Sequence, residues 1–120
     1  MKLLTKEIAA QLAKNGKEQA KVAGTKTERD FIPVVKFFNP CGAQTWLITE
    51  SDPDDPDILF GLCDLGLDCA ELGSVRLSEL ESVKGPLGLG IERDLHFHPT
   101  KPLSVYAKAA YAAGRIVESV

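Results

Sequence analysis

The sequence is poor in the residues that staple, ligate or anchor a chain. Its 120 residues hold three cysteines, two histidines, one tryptophan and one methionine. Cys41, Cys63 and Cys69 leave one thiol over in any pairing scheme, and none stands in a C-x-x-C pair. That argues against a disulfide scaffold and against zinc or redox work, and reduced thiols in a cytoplasm are the expectation. No apolar run approaches the roughly 18 residues needed to cross a bilayer, so no membrane association is expected. Glu7 also interrupts the apolar stretch that a secretory signal would carry.

Several activity motifs are missing too. The glycine-rich run Gly85-Pro86-Leu87-Gly88-Leu89-Gly90 fits neither G-x-x-x-x-G-K-[ST] nor G-x-G-x-x-G, and it reads as a tight connecting loop. G-x-S-x-G is absent, and Gly73-Ser74 falls inside an expected strand, away from any strand-to-helix elbow. The aspartates at 52, 54, 55 and 57 lack the glycine and distal glutamate of a calcium loop, and two prolines interrupt them, so they form an acidic solvated loop. Cys63 and Cys69 sit in apolar surroundings, where cysteine behaves as a small core residue more often than as a nucleophile. No catalytic residue, metal ligand set or cofactor follows from these patterns.

What is present is the composition of an ordinary folded domain. An apolar fraction of 44% and a charged fraction of 26% support a packed core in one domain spanning residues 1–120. The net charge of −3 is unevenly spread: residues 1–29 carry seven Lys/Arg against Glu7, Glu18 and Glu28, a net +4, and the other seven basic and 14 acidic residues leave −7. The lysines between positions 2 and 26 are interleaved with alanine and glutamine and lack aromatic or arginine neighbours. They read as a solvated helix face, with nucleic-acid binding the weaker alternative.

Leu4, Ile8 and Leu12 recur at helical spacing and predict a helix over about 4–14. A flexible connection over about 15–30 follows, rich in Lys, Gly and Thr. From residue 31 to 98 the chain turns to β-forming residues, with strands expected at Val34–Phe38, Gln44–Glu50, Ile58–Cys63, Cys69–Val75 and Ile91–Phe97. Asn39-Pro40-Cys41-Gly42 supplies the first hairpin turn. Ser78 and Glu81 have the spacing of a capping box for a short helix that Gly85-Pro86 ends. Leu103, Tyr106, Ala110, Ala113 and Val117 place a last helix over about 103–117, with Gly114 a weak point in it. The fold expected is α+β: a single antiparallel sheet of about five strands, a meander of hairpins, with the N-terminal and C-terminal helices covering one face.

On that reading, Glu92, Asp94, His96 and His98 share the wet face of the fifth strand, with Ile91, Leu95 and Phe97 on the other. Two imidazoles at i and i+2 with a carboxylate are the elements of a metal or general acid/base site, so Asp94, His96 and His98 carry the enzymatic alternative. A polar strand face is more commonly just solvated. Trp46 is the other candidate, as a recognition ring or, more in keeping with tryptophan generally, a buried anchor.

Much of the chain resembles one bacterial family. Met1-Lys2-Leu3-Leu4-Thr5, the stretch from Val35-Lys36-Phe37-Phe38 through Trp46 to Thr49-Glu50, and Leu77-Ser78-Glu79-Leu80-Glu81-Ser82-Val83 to Gly85-Pro86-Leu87-Gly88 look like domain of unknown function 2958. So do Ile91-Glu92-Arg93-Asp94-Leu95 and Lys101-Pro102-Leu103. The loop at 51–57 and the chain from about Ser104 onward are the parts outside the resemblance. Such proteins are small, often encoded on plasmids and integrative elements beside DNA-handling genes, and have no established catalytic residues. The resemblance therefore implies a non-enzymatic interaction module that binds a host or element protein, with blocking a defence system among the possible roles.

Overall fold

A computed structural model describes residues 2–120. The elements are α1 (Lys6–Val22), β1 (Val35–Phe38), β2 (Thr45–Ser51), β3 (Ile58–Asp64), β4 (Glu71–Arg76), α2 (Leu77–Ser82), β5 (Glu92–Arg93) and α3 (Leu103–Ala113). The five strands form one antiparallel sheet in the order β4-β3-β2-β1-β5. The first four make the expected meander, and β5 returns to the free edge of β1. The α+β class and the five-stranded antiparallel sheet are as the sequence led one to expect.

The helices do not share a face. Leu12 of α1 and Leu80 of α2 pack with Val35, Phe37, Trp46, Ile48 and Leu59 on one side of the sheet. Leu103, Tyr106, Ala107 and Ala110 of α3 pack with Leu47 and Leu62 on the other. The central strands are thus covered twice. Their composition carries the reason: Trp46-Leu47-Ile48 and Ile58-Leu59-Phe60 are unbroken apolar runs, as strands buried on both faces require.

Helix α1 is longer than its leucine spacing suggests. Thr5 starts it, its Oγ1 accepting from Ile8 N–H at 3.1 Å, and Glu7 and Lys21 lie at the ends where their charges suit the helix dipole. The helix then continues through Asn15 and Gly16, residues that ordinarily mark its end, because both are buried against β2. Asn15 Nδ2 donates to Thr49 O at 2.9 Å, and Gln11 Nε2 donates to Asn15 Oδ1 at 2.8 Å. A Cβ on Gly16 would stand 1.9 Å from Ser51 O, so only glycine lets the helix approach this closely. The segment after α1 is fastened as well, since Gln19 exchanges two hydrogen bonds with the Arg29 backbone, at 2.7 and 2.8 Å. The flexible connection expected over 15–30 is therefore helix for its first half and pinned at Arg29.

Three further boundaries differ. The fifth strand stops at Arg93, because the Asp94 side chain turns back to accept the His96 N–H at 2.8 Å and closes a turn. Ile91 and Phe97 then pack on opposite faces and Leu95 is exposed, so the alternation over 91–97 does not describe one strand. Helix α3 ends at Ala113, where Gly114 takes φ 78° and donates to Ala110 O; the weak point is its cap. Ser78 and Glu81 form no capping box. Instead Asp57, from the loop before β3, accepts from Ser78 N–H at 2.9 Å and Ser78 Oγ–H at 2.7 Å, and its carbonyl accepts from Leu77 N–H. Asp30 does the same for α3 through Ser104 N–H and Oγ–H, while Phe31 O accepts from Leu103 N–H.

The close approach of α1 to β2 generates a stability prediction. Gly16→Ala is expected to destabilise the protein by about 2 kcal/mol or more in urea unfolding, since overpacking against backbone cannot relax cheaply. Gly73→Ala, where an added Cβ meets nothing within 4 Å, is the matched control and stays within about 0.5 kcal/mol. Equal effects of the two changes would refute the contact.

Candidate functional site

The residues singled out in the sequence do not converge. Trp46 is buried at 5% exposure among Phe37, Ile48 and Leu59, which removes it as a recognition ring and leaves it a core anchor. Glu92 is on β5, paired with Phe38. Asp94 follows the strand and is occupied: it accepts from His96 N–H and pairs with Lys36 Nζ at 3.2 Å. Burial acts to raise its pKa, but the His96 N–H and the Lys36 ammonium outweigh that and hold it below the usual aspartate range. Lys36 also pairs with Glu118 at 2.7 Å, and the two carboxylates overcome the effect of burial to keep its pKa above the ordinary lysine value. The group is an ion-pair node that ties the C-terminal tail to β1. His96, within that turn, and His98, beyond it, are both exposed. Among the described residues no group of three or more His, Cys, Asp or Glu is arranged to hold a metal ion.

The acidic loop has structural work. Asp52 Oδ1 accepts from the N–H groups of Asp54 and Asp55, Asp55 Oδ1 accepts from Asp57 N–H, and Arg76 pairs with Asp55 at 3.1 Å and Asp57 at 3.5 Å. With Asp57 seated on Ser78, the loop joins the lower end of the sheet to α2. The Ser78 hydroxyl and N–H, helped by Arg76, hold the Asp57 carboxyl below the usual range. Arg93 donates to Lys2 O at 3.1 Å and Leu3 O at 2.7 Å, which fixes the entry to α1 beside β5.

Two of the three thiols, Cys63 and Cys69, are poorly disposed to nucleophilic work. Burial pushes Cys63 up to about 11, and the Glu71 carboxylate, accepting from the thiol at 3.2 Å, raises Cys69. A thiolate is the reactive form, and both environments disfavour it.

One end of the sheet has a different character. The β1–β2 turn at residues 39–44, the β3–β4 loop and the α2–β5 loop meet there: Ala43 lies against Gly66, and Cys41 Cβ is 4.0 Å from where a Gly85 Cβ would stand. These loops present Leu65, Leu67 and Leu87, exposed at 53%, 75% and 97%. The α2–β5 loop is closed at its base, since Gly85 N–H donates to Leu89 O and side chains at Gly85 or Gly90 would strike the carbonyls of Leu89 or Val83. At its tip, Leu89 N–H donates to Pro86 O around Leu87 at φ 60° and Gly88 at φ 74°. Positive φ at both central residues defines a type I′ turn, in which the first position favours Asn, Asp or Gly. Leucine there is both strained and fully displayed. Sequence reading passed over this group because Gly-Pro-Leu-Gly signals a turn without saying which side chain the turn holds out.

A family model described as "Protein of unknown function (DUF2958)" matches residues 3–117. The match runs across the loop at 51–57 and through α3, so neither lies outside the family, contrary to the expectation from the resemblance. No curated protein and no solved structure matches the chain.

The acidic loop yields a pH prediction. Because the native Asp57 pKa is lowered, its contribution to stability is complete above the unfolded aspartate value of about 3.9 and is lost as the pH falls through the native one. Asp57→Asn is expected to unfold more easily than the unaltered protein at pH 7, with the gap narrowing below pH of about 4. A gap of constant size down to acid unfolding would show that the charge on Asp57 plays no part.

Proposed function

The chain belongs to the DUF2958 family, and from that premise we propose that it is a non-enzymatic interaction module whose leucine-bearing loop end docks on a protein partner. The partner is a host protein, or a protein of the mobile genetic element that carries the gene, and counter-defence is one such role. What supports this reading above all is Leu87. A leucine at positive φ costs about 1 kcal/mol or more, and one exposed at 97% recovers none of it within this chain. Its side chain matches a partner with an apolar socket, flanked by a surface that covers Leu65 and Leu67.

The alternatives have less support. An enzyme built on Asp94, His96 and His98 needs these groups to converge, and Asp94 is committed to Lys36 while the two histidines are exposed. For nucleic acid, Lys14, Lys17 and Lys21 lie exposed on α1 with no aromatic residue in the helix to stack on bases.

Leu87→Asn separates display from stability. Asparagine suits the turn, so the variant is expected to be as stable as the unaltered protein or more so. A partner captured from the native host and purified is expected to bind it at least about tenfold more weakly, since burying a leucine is worth about 1.5–3 kcal/mol and 1.4 kcal/mol is tenfold in affinity. Unchanged affinity in both Leu87→Asn and Leu67→Asn would overturn the assignment of this surface.

A further inference from the structure

The opposite end of the sheet holds a second feature, independent of the docking reading. Thr49 is an extra residue in β2: the β2–β3 register shifts between Ile48 and Glu50. Such bulges re-aim the side chains beside them. Glu50 lines a cleft of about 300 Å³ whose walls include Phe31, Phe60, Leu72 and Leu103. Glu50 and Phe60 also line an adjoining cleft of about 230 Å³ that reaches Asp52 and Ser74.

The charges around these clefts are unbalanced. Asp30 is used on Ser104, and Arg29, which also lines the first cleft, is paired with Glu18 at 3.3 Å and lies over the Phe31 ring, 5.3 Å from its centroid, leaving Glu28 and Glu50 without a cation partner among the described residues. Glu28 faces Glu50 with a second carboxylate, its Oε2 accepting from Gly24 N–H. Glu50 accepts from Thr49 Oγ1 at 3.2 Å and, among the described residues, forms no ion pair. Burial, opposed by the Thr49 hydroxyl and reinforced by Glu28, raises its pKa. A half-buried carboxylate kept without a cation is a net cost to the fold.

We propose that the double cleft at Glu50 binds an ammonium or guanidinium group carried on an apolar stem, the head on the Glu50 carboxylate and the stem between Phe31, Phe60 and Leu72. The two carboxylates repel an anion, and the absence among the described residues of a metal-holding group leaves a bare cation without ligands. The aromatic walls favour a cation by their faces and a methylene stem by its apolar area. The same chemistry is offered by a free alkyl amine and by a lysine or arginine side chain of a peptide.

The test is an amide-resolved NMR titration with three probes: cadaverine, N-acetyl-lysine amide, and N-acetyl-norleucine amide as the uncharged counterpart. The expected result is that one or both cations shift Phe31, Thr49, Phe60 and Leu72 while norleucine amide does not, with affinity rising as the pH climbs through the raised Glu50 value. Cadaverine alone points to a free amine, and lysine amide to a protein side chain; either upholds the site. Glu50→Gln is expected to weaken binding at least tenfold. The same variant reports on its own folding: with the native pKa raised above 4.5, the glutamate penalty exists only above that range, so Glu50→Gln is expected to be the more stable form at pH 7 and equal to the unaltered protein below about pH 4. No shift at these amides with either cation at millimolar concentration, equal affinity in Glu50→Gln, or equal binding of norleucine amide would overturn the proposal.

Discussion

The rest of the structure depends on how closely α1 lies on β2. A helix carrying any side chain at position 16 would be held off by the Ser51 carbonyl, and the Asn15 amide would lose its reach to Thr49 O. With the helix down, Leu12 reaches the layer of Phe37, Trp46 and Ile48, and the apolar side chains of β1 to β3 find a cover on that face. The polar pin matters as much as the fit. Thr49 is the bulged residue, and the Asn15 amide donates to its backbone carbonyl; a buried acceptor left without a partner costs about 1–3 kcal/mol, so this bond supports β2 at its irregularity.

That one contact explains why the sequence was legible in some places and not in others. Strands β1 to β4 lie within a residue or two of where Val, Phe, Trp and Thr cluster between turn formers, because β-forming composition and local turn chemistry act over short distances. The length of α1 was hidden because Asn15-Gly16 is a stop signal unless something meets it, and what meets it lies 34 residues away in β2. The two-faced burial was written in the unbroken runs at 46–48 and 58–60, and a reading based on alternation alone placed both helices on one face. At 91–97 alternation misled outright, since a single side-chain bond from Asp94 to His96 N–H converts the expected strand into a turn and scatters the four polar residues. The starts near 77 and at 103 were legible, but their caps were hidden for the same reason as the length of α1: Asp57 and Asp30 cap helices 21 and 74 residues further along, and no local pattern records such a partner.

The caps also sort the acidic residues by what they do. Of the carboxylates at the lower end of the sheet, Asp52, Asp55 and Asp57 hold the β2–β3 loop and α2, and Asp30 holds α3. Composition made the Asp/Pro loop conspicuous, yet the carboxylates of Asp52, Asp55 and Asp57 are taken up by N–H groups, a serine and an arginine. Glu50 drew no notice within the strand Thr45–Ser51, and it stands half-buried beside the clefts with no ion pair among the described residues. Prominence in sequence and availability in the fold run in opposite directions here, because clustered aspartates in a loop find backbone donors at once, whereas a lone glutamate in a strand is placed by the bulge beside it.

The same contrast governs the apolar residues. Leu3, Leu12, Leu47, Leu59 and Leu62 are wholly buried, so the chain has no shortage of places to put leucine. Leu87 stands outside this economy. A glycine or asparagine would relax the turn at Pro86–Leu89 without loss of any internal contact, and the loop base is closed by glycines that already accept crowding to bring the backbone together. On the proposed docking role, a residue that strains its own turn, touches almost nothing in its own chain, and is held out by a loop fastened beneath it would find its energetic compensation outside this chain. For a leucine, the compensation available is removal of its side chain from water on another molecule.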